Sequence, residues 1–267
     1  MTLSSSLTRG VLRVDEPVDG VTRLTISNPN RRGALDSAIL DALTATLPGL
    51  DTRCVVITGE GGSFSSGYDI ASLREEALAE EAEKLIAHPF TEALEAIDAC
   101  PYPTLAALNG HTIGGGLELA LSCDVRVAAA GISLGMPPAK LGLVYSHTGI
   151  RKFIDAIGAP RTRELFLVGR NIDAATAQSW GLINTVVERE QFEEQALVIA
   201  CEMAAGAPLS TRGNKRMIRA VLDARAALSP ELENELIDLR RACFDSEDFR
   251  EGVRAFVEKR KPQWQGR

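Results

Sequence analysis

Aromatic side chains make up only 5% of this 267-residue chain, and it holds only three histidines. Long apolar runs are missing too. No stretch approaches the ~20 apolar residues of a membrane span, and the start has no apolar core of signal-peptide length. The chain is therefore read as cytoplasmic, with no membrane partner. Basic residues are outnumbered: the net charge is −7, which leaves no footprint for nucleic acid. Five cysteines (Cys54, Cys100, Cys123, Cys201, Cys243) are scattered in apolar surroundings. Their spacing suits neither a metal site nor a disulfide framework, so they read as reduced and buried. No internal repeat and no low-complexity tract is found.

What is present is enough apolar material, 45%, for a sizeable core. Short β-branched runs recur at Val11–Val14, Val21–Ile26, Cys54–Thr58, Thr104–Leu108, Asp124–Ala129 and Ile183–Val187. Helical patterns lie between them, which predicts an α/β chain with crossover connections. Asp36 is placed to cap a helix running to Leu47, and Ser229-Pro230 starts another by the same rules. From Phe192 onward the pattern is helical only. The chain divides on this basis into an α/β core, residues 1–190, and a helical region, 191–267. The acid-rich segment from Arg74 to Lys84 reads as a solvated helix face or a lid.

Two glycine-rich corners carry the chemistry. The first is Ala107-Leu108-Asn109-Gly110-His111-Thr112-Ile113-Gly114-Gly115-Gly116-Leu117-Glu118, read as a strand, a tight turn, three glycines and a helix. Glycine lets a ligand approach the backbone, and the first N–H groups of a helix have no internal partner. An oxygen becoming anionic is stabilised there. Glu118 follows Gly115 by three residues, onto the same face of the first turn. A donor for an oxyanion beside a carboxylate can build and protonate an enolate. Close packing of glycines, and a glutamate favoured by the helix dipole, explain the same letters without catalysis. The lysine and Ser/Thr of a phosphate loop are absent, and the run does not fit G-x-G-x-x-G.

The second corner is Gly62-Ser63-Phe64-Ser65-Ser66-Gly67-Tyr68-Asp69-Ile70, directly after the Cys54–Thr58 strand. It leaves the Tyr68 N–H free to donate and sets Asp69 as the cap of a helix beginning at Ile70.

Together these corners resemble the crotonase superfamily, the enoyl-CoA hydratase/isomerase family. So do Asn30-Arg31-Arg32-Gly33-Ala34-Leu35-Asp36, Gly181-Leu182-Ile183-Asn184-Thr185-Val186-Val187 and the ending Asp248–Pro262. The resemblance implies a spiral of repeated β-β-α units, with C-terminal helices closing an acyl-CoA site. It implies a homo-oligomer, trimer or hexamer, and no cofactor beyond the coenzyme A of the substrate. Carried over by position, the N–H groups of Tyr68 and Gly115 form an oxyanion hole for the thioester. Arg32, Ala34, Ser66, Asp69 and Ile70 line the coenzyme A path, and Phe256 and Lys259 meet its nucleotide end. Ile113, Gly114, Pro137, Pro138 and His147 stand near the acyl group.

The chain departs from this family where hydratases carry a second glutamate. Glu118 occupies the first such position, but Pro138 stands at the second, and its side chain can move no proton. Just beyond, Leu141-Gly142-Leu143-Val144-Tyr145-Ser146-His147 resembles the methylmalonyl-CoA decarboxylase branch, which places an active-site tyrosine at the position of Tyr145. That branch has histidine where this chain has Tyr68. Loss of carbon dioxide from a malonyl-type thioester needs enolate stabilisation and an oriented carboxylate, and no base to begin. Tyr145 is read either as the orienting group or as a packed aromatic. His147 paired with Asp124 is a conceivable base, and His111 a structural hydrogen-bonder. Three functions stay open: a lyase favouring decarboxylation, a hydratase or isomerase working with Glu118 alone, and a non-catalytic acyl-CoA binder.

Overall fold

The computed structural model of the chain describes residues 10–70, 77–225 and 228–267. Among these, ten strands, numbered in chain order, form two sheets. The large sheet holds β1 (Val11–Val18), β2 (Val21–Ser27), β3 (Cys54–Gly59), β5 (Thr104–Leu108), β7 (Val125–Ala129) and β10 (Thr185–Val187), side by side in that order. These are the six strands expected from the β-branched runs. β1 pairs antiparallel to β2 and every later neighbour is parallel. Parallel strands are covered on both faces. Val55 and Ile57 of β3 and Leu105–Leu108 of β5 are accordingly buried.

The small sheet holds four strands that the sequence patterns do not announce: β4 (Ser63–Ser65), β6 (His111–Ile113), β8 (Ser133–Gly135) and β9 (Ile172–Asp173). Each of β3, β5 and β7 turns at once into one of them, and helices follow. β3–β4 precedes α2 (Leu78–Leu85) and α3 (Thr91–Ala99), β5–β6 precedes α4 (Gly115–Ser122), and β7–β8 precedes α5 (His147–Arg163). This is the spiral of β-β-α units that the resemblance implies, repeated in shape and not in sequence. The corner between β5 and β6 needs glycine, because a Cβ on Gly110 would lie 2.2 Å from the Gly62 carbonyl oxygen.

Local signals set the ends of several helices. Asp36 caps α1 (Ser37–Thr46), its carboxylate accepting from Ile39 N at 3.0 Å. Ser229 caps α9 (Pro230–Phe244) and Ser246 caps α10 (Glu247–Val257). α6 (Ala174–Ser179) follows β9, and the C-terminal part is helical as expected. In it α7 (Phe192–Ala205) packs on β2, β3 and β7, α8 (Pro208–Ala224) keeps no buried residue, and α9 packs on α2. Of the acidic segment 74–84, residues 74–76 lie outside the described residues; the rest leads into α2. The tail after α10 doubles back, with Gln265 N and Gly266 N donating to the Asp248 carboxylate and Glu247 N to the Arg267 carbonyl. No described helix is long and apolar enough to cross a membrane.

Candidate active site

The two glycine corners meet at the end of the small sheet. One difference from expectation is local: β6 lies between the turn at Asn109–Gly110 and the glycines, so Gly114 is carried in by a strand. Gly114 takes φ 57°, ψ −128°, a conformation open to glycine, and sets Gly115 as the first residue of α4. The other corner is held by an isolated parallel bridge between Leu35 and Tyr68. Leu35 N donates to the Gly67 carbonyl at 2.8 Å and Asp69 N to the Leu35 carbonyl at 3.2 Å. That alternation turns the Tyr68 N–H to the opposite side of the strand. Gly67, at φ 87°, brings the corners into contact: a Cβ there would lie 2.9 Å from the Ile113 carbonyl oxygen and 3.0 Å from Gly115 N. The corners that carry the backbone N–H groups of Tyr68 and Gly115 are thereby brought into contact.

Behind them is a buried acid. Glu118 is 2% exposed, and the Tyr145 hydroxyl donates to its Oε2 at 2.5 Å. Burial pushes the Glu118 carboxyl up to about 7; the Tyr145 hydrogen bond and the Lys152 charge pull the other way. Lys152 is itself held by Asp98 at 2.7 Å and Ser122 Oγ at 2.5 Å. Gly149, in the first turn of α5, makes room for the acid: a Cβ there would be 2.7 Å from Glu118 Oε1 and 2.7 Å from the Tyr145 ring.

Tyr145 is a packed aromatic, and its hydroxyl is set beside the buried acid. It packs edge-on to Phe166 at 5.6 Å and still hydrogen-bonds Glu118. Its hydroxyl also lies 3.5 Å from that of Tyr68, whose ring stands edge-on to Phe90 at 4.6 Å. Burial raises both phenols well above their ordinary range, as does the neighbouring Glu118 charge, so both stay protonated. The Tyr68 hydroxyl is a part of the site that motif reasoning missed, since only its backbone had been assigned a task.

A cleft of about 620 Å³ opens from these groups toward the C-terminus. Tyr68, Gly115 and Tyr145 line it, with Ser66, Ile70, Ile113, Gly114, Pro137, Pro138 and Phe256 from the expected set. Glu118 does not line it and stands behind Tyr145. Its mouth includes Lys140, Arg260, Lys261 and Trp264, which sequence reasoning did not select.

Other expected residues stand elsewhere. Lys259, at φ 55°, is exposed and off the lining, one residue short of Arg260. Arg32, Ala34 and Asp69 brace the Tyr68 corner from behind: the Arg32 carbonyl accepts from Ser66 N, Ala34 is buried, and Asp69 pairs with Arg31 at 2.5 Å. The helix that Asp69 was expected to cap falls largely on residues outside those described. His147 does not meet Asp124. It faces Glu233 of α9 at 3.7 Å and is absent from the cleft wall, while Asp124 binds Lys215 at 2.7 Å and the Thr104 hydroxyl at 2.9 Å. The two residues sit at the starts of different elements, a placement sequence spacing does not reveal. His111 accepts from Ser133 N at 3.0 Å, a structural bond between β6 and β8.

Two adjoining glycine corners, a buried acid and a cleft of about 620 Å³ thus make up the candidate site. Residues 16–267 match the enoyl-CoA hydratase/isomerase family, and the chain belongs to it. The chain is 32% identical to 2,3-dehydroadipyl-CoA hydratase of Escherichia coli, over 92% of its own length and 96% of that protein. It is 30% identical to methylmalonyl-CoA decarboxylase of the same organism, over 93% and 96%. Among solved structures, methylmalonyl-CoA decarboxylase in complex with 2-nitronate-propionyl-CoA superposes with a TM-score of 0.86 at 28% identity, covering 96% of this chain and 98% of that one. Enoyl-CoA hydratase from Bacillus anthracis gives 0.74 at 29% identity, covering 96% and 99%. The protein is thus a crotonase-family enzyme of acyl-CoA chemistry.

Proposed function

We propose that this enzyme is an acyl-CoA lyase that works through a thioester enolate, and that decarboxylation of a malonyl-type thioester is its reaction. The observation that carries this reading is the inventory of acids. Pro138 lines the cleft where hydration would need a second carboxylate, and Glu118 reaches the cleft only through Tyr145. Among the described residues, water bound in the cleft would meet no carboxylate directly.

Decarboxylation asks less of the site. The bond between Cα and the carboxylate carbon breaks and its electron pair moves into the thioester, forming an enolate. The N–H groups of Tyr68 and Gly115 take the developing oxyanion, and carbon dioxide leaves. Cα then accepts one proton. Glu118 in its acid form reverses the bond it accepts from Tyr145 and passes a proton to the Tyr145 oxygen as the Tyr145 hydroxyl gives its own to Cα; Tyr145 is restored at once, and Glu118, left as a carboxylate, regains its proton from solvent. The coenzyme A chain runs past Ser66 and Ile70 toward Phe256 and the cations at the mouth. The higher TM-score on the decarboxylase, 0.86 against 0.74 for the Bacillus hydratase, agrees with this reading.

One observation favours a second reading, an isomerase: a single carboxyl titrating near 7 can carry a proton between two carbons. Mass spectrometry of methylmalonyl-CoA, crotonyl-CoA and a 3-enoyl-CoA separates the two. Carbon dioxide release from the first is expected, with hydration of the second slow or undetectable. Fast crotonyl-CoA hydration with no carbon dioxide from any malonyl-type substrate overturns the proposal. Rapid conversion of the 3-enoyl-CoA alone establishes the isomerase. We also propose a trimer or hexamer, on the exposed Leu209, Met217, Ile218 and Val221 of α8; a monomer mass by light scattering at micromolar concentration counts against it.

A further inference from the structure

The two phenols at the closed end of the cleft are not equivalent, and counting protons shows why. Each hydroxyl has one proton to donate. That of Tyr145 is engaged by Glu118 at 2.5 Å. That of Tyr68 has as its recorded partner the Tyr145 oxygen at 3.5 Å, the outer limit of a hydrogen bond. A substrate group reaching this end of the cleft therefore finds the Tyr68 proton available without breaking the bond to Glu118.

The rest of the Tyr68 environment does not call for a hydroxyl. The ring packs edge-on to Phe90 and lies against Gly115, where a Cβ would be 3.2 Å from the Tyr68 Cε1. A phenylalanine would keep both contacts. Half-buried on the cleft wall, the hydroxyl keeps only this one marginal bond among the described residues, and an arriving acceptor can take its proton. Two charges act on this spot in opposite senses: Glu118 opposes an anion there, and Arg240 of α9 favours one. Arg240 is held near by its ion pair with Glu83 of α2 at 2.9 Å.

We propose that the Tyr68 hydroxyl binds the carboxylate of a malonyl-type thioester, making Tyr68 the specificity-determining residue of the site. This rests on the decarboxylase reading for the reaction it serves. Tyr68 then holds the substrate twice, through its N–H at the thioester oxygen and through its O–H at the carboxylate. Two handholds on one rigid residue fix the torsion between the groups, and the breaking bond must stand out of the thioester plane for its electrons to enter the carbonyl. A thioester without the carboxylate uses only the first handhold.

The test compares the full-length enzyme with Tyr68→Phe, which keeps the backbone N–H. Affinities are measured by calorimetry for carboxypropyl-CoA, a thioether that bears the carboxylate and cannot decarboxylate, and for propionyl-CoA, which lacks it. Carbon dioxide release from methylmalonyl-CoA is followed in parallel. A hydrogen bond to a charged group is worth about ten- to hundredfold. Carboxypropyl-CoA binding and kcat/KM for decarboxylation should fall by that factor, with propionyl-CoA affinity unchanged. Equal weakening of both ligands, or of neither, overturns the assignment. If the parent releases no carbon dioxide yet Tyr68→Phe selectively loses carboxypropyl-CoA, the decarboxylase reading fails and the carboxylate site stands. If the parent decarboxylates and Tyr68→Phe changes nothing, the reverse holds.

Discussion

The two sheets are continuous, strand turning into strand, yet they treat the backbone in opposite ways. In the large sheet, β2, β3, β5 and β7 run side by side, neighbours pairing over four to six consecutive positions, and most of their side chains are buried. In the small sheet, strands of two or three residues pair at two positions and stop. A ladder consumes N–H groups, so an N–H kept for a ligand has to lie where a strand ends. A sheet of very short strands is nearly all ends. Tyr68 and Gly115 both follow just past the ends of small-sheet strands, and the large sheet supplies the rigidity that short strands lack.

This division can be broken from either side. The largest effect is expected at Glu118→Gln, which keeps the acceptor for Tyr145 and removes the proton: turnover should fall about 10²–10⁴-fold in a steady-state assay. The same variant should be more stable than its parent. The folded carboxyl titrates at about 7 against an ordinary 4.5, so the folded state retains a proton that the unfolded chain releases between those values. Stability falls across that window as pH rises, by roughly 3 kcal/mol in all. Urea melts should show the glutamine variant ahead at pH 8 and level near pH 4; a less stable variant at pH 8 would contradict the buried-acid account.

Gly115→Pro comes next. Proline is accepted at the first position of a helix but has no N–H, and one oxyanion donor is worth about 10²–10³-fold in kcat. Circular dichroism should stay that of the parent while carbon dioxide release drops. On the large sheet the pattern should invert. Ile57→Ala, at a fully buried position, should cost about 2–5 kcal/mol in denaturant melts and leave kcat per folded molecule unchanged. The smallest effect is expected from pH. With Glu118 required in its acid form, kcat/KM for decarboxylation should decline about tenfold per unit above about 7. A profile flat from pH 6 to 9 would remove Glu118 from the protonation step.

The same contrast explains what the sequence discloses. The central large-sheet strands are visible because a strand covered on both faces must be a run such as Cys54-Val55-Val56-Ile57-Thr58, and the edge strands β1 and β10 by their β-branched residues alone. In the small sheet β4 buries Phe64 and Ser65, β6 only Thr112, and β8 Leu134 and Gly135, and one or two residues have no period to read. The glycine corners are legible because backbone approach restricts residue type. Pro138 is legible as a departure. The Tyr68–Tyr145–Glu118 array is not, because its members lie 77 and 27 positions apart and meet only through the fold. His147 failed for the same reason, with Glu233 reaching it from α9.

The segment tied back to Asp248 has a consequence for how one side of the cleft is held. Arg260, Lys261 and Trp264 belong to no strand or helix, yet they line the cleft. Hydrogen bonds from Gln265 N and Gly266 N to one carboxylate, and from Glu247 N to the Arg267 carbonyl, close this segment into a loop on α10. A loop closed at both ends has few arrangements open to it, so a single side chain, Asp248, works as a clasp for that side of the cleft.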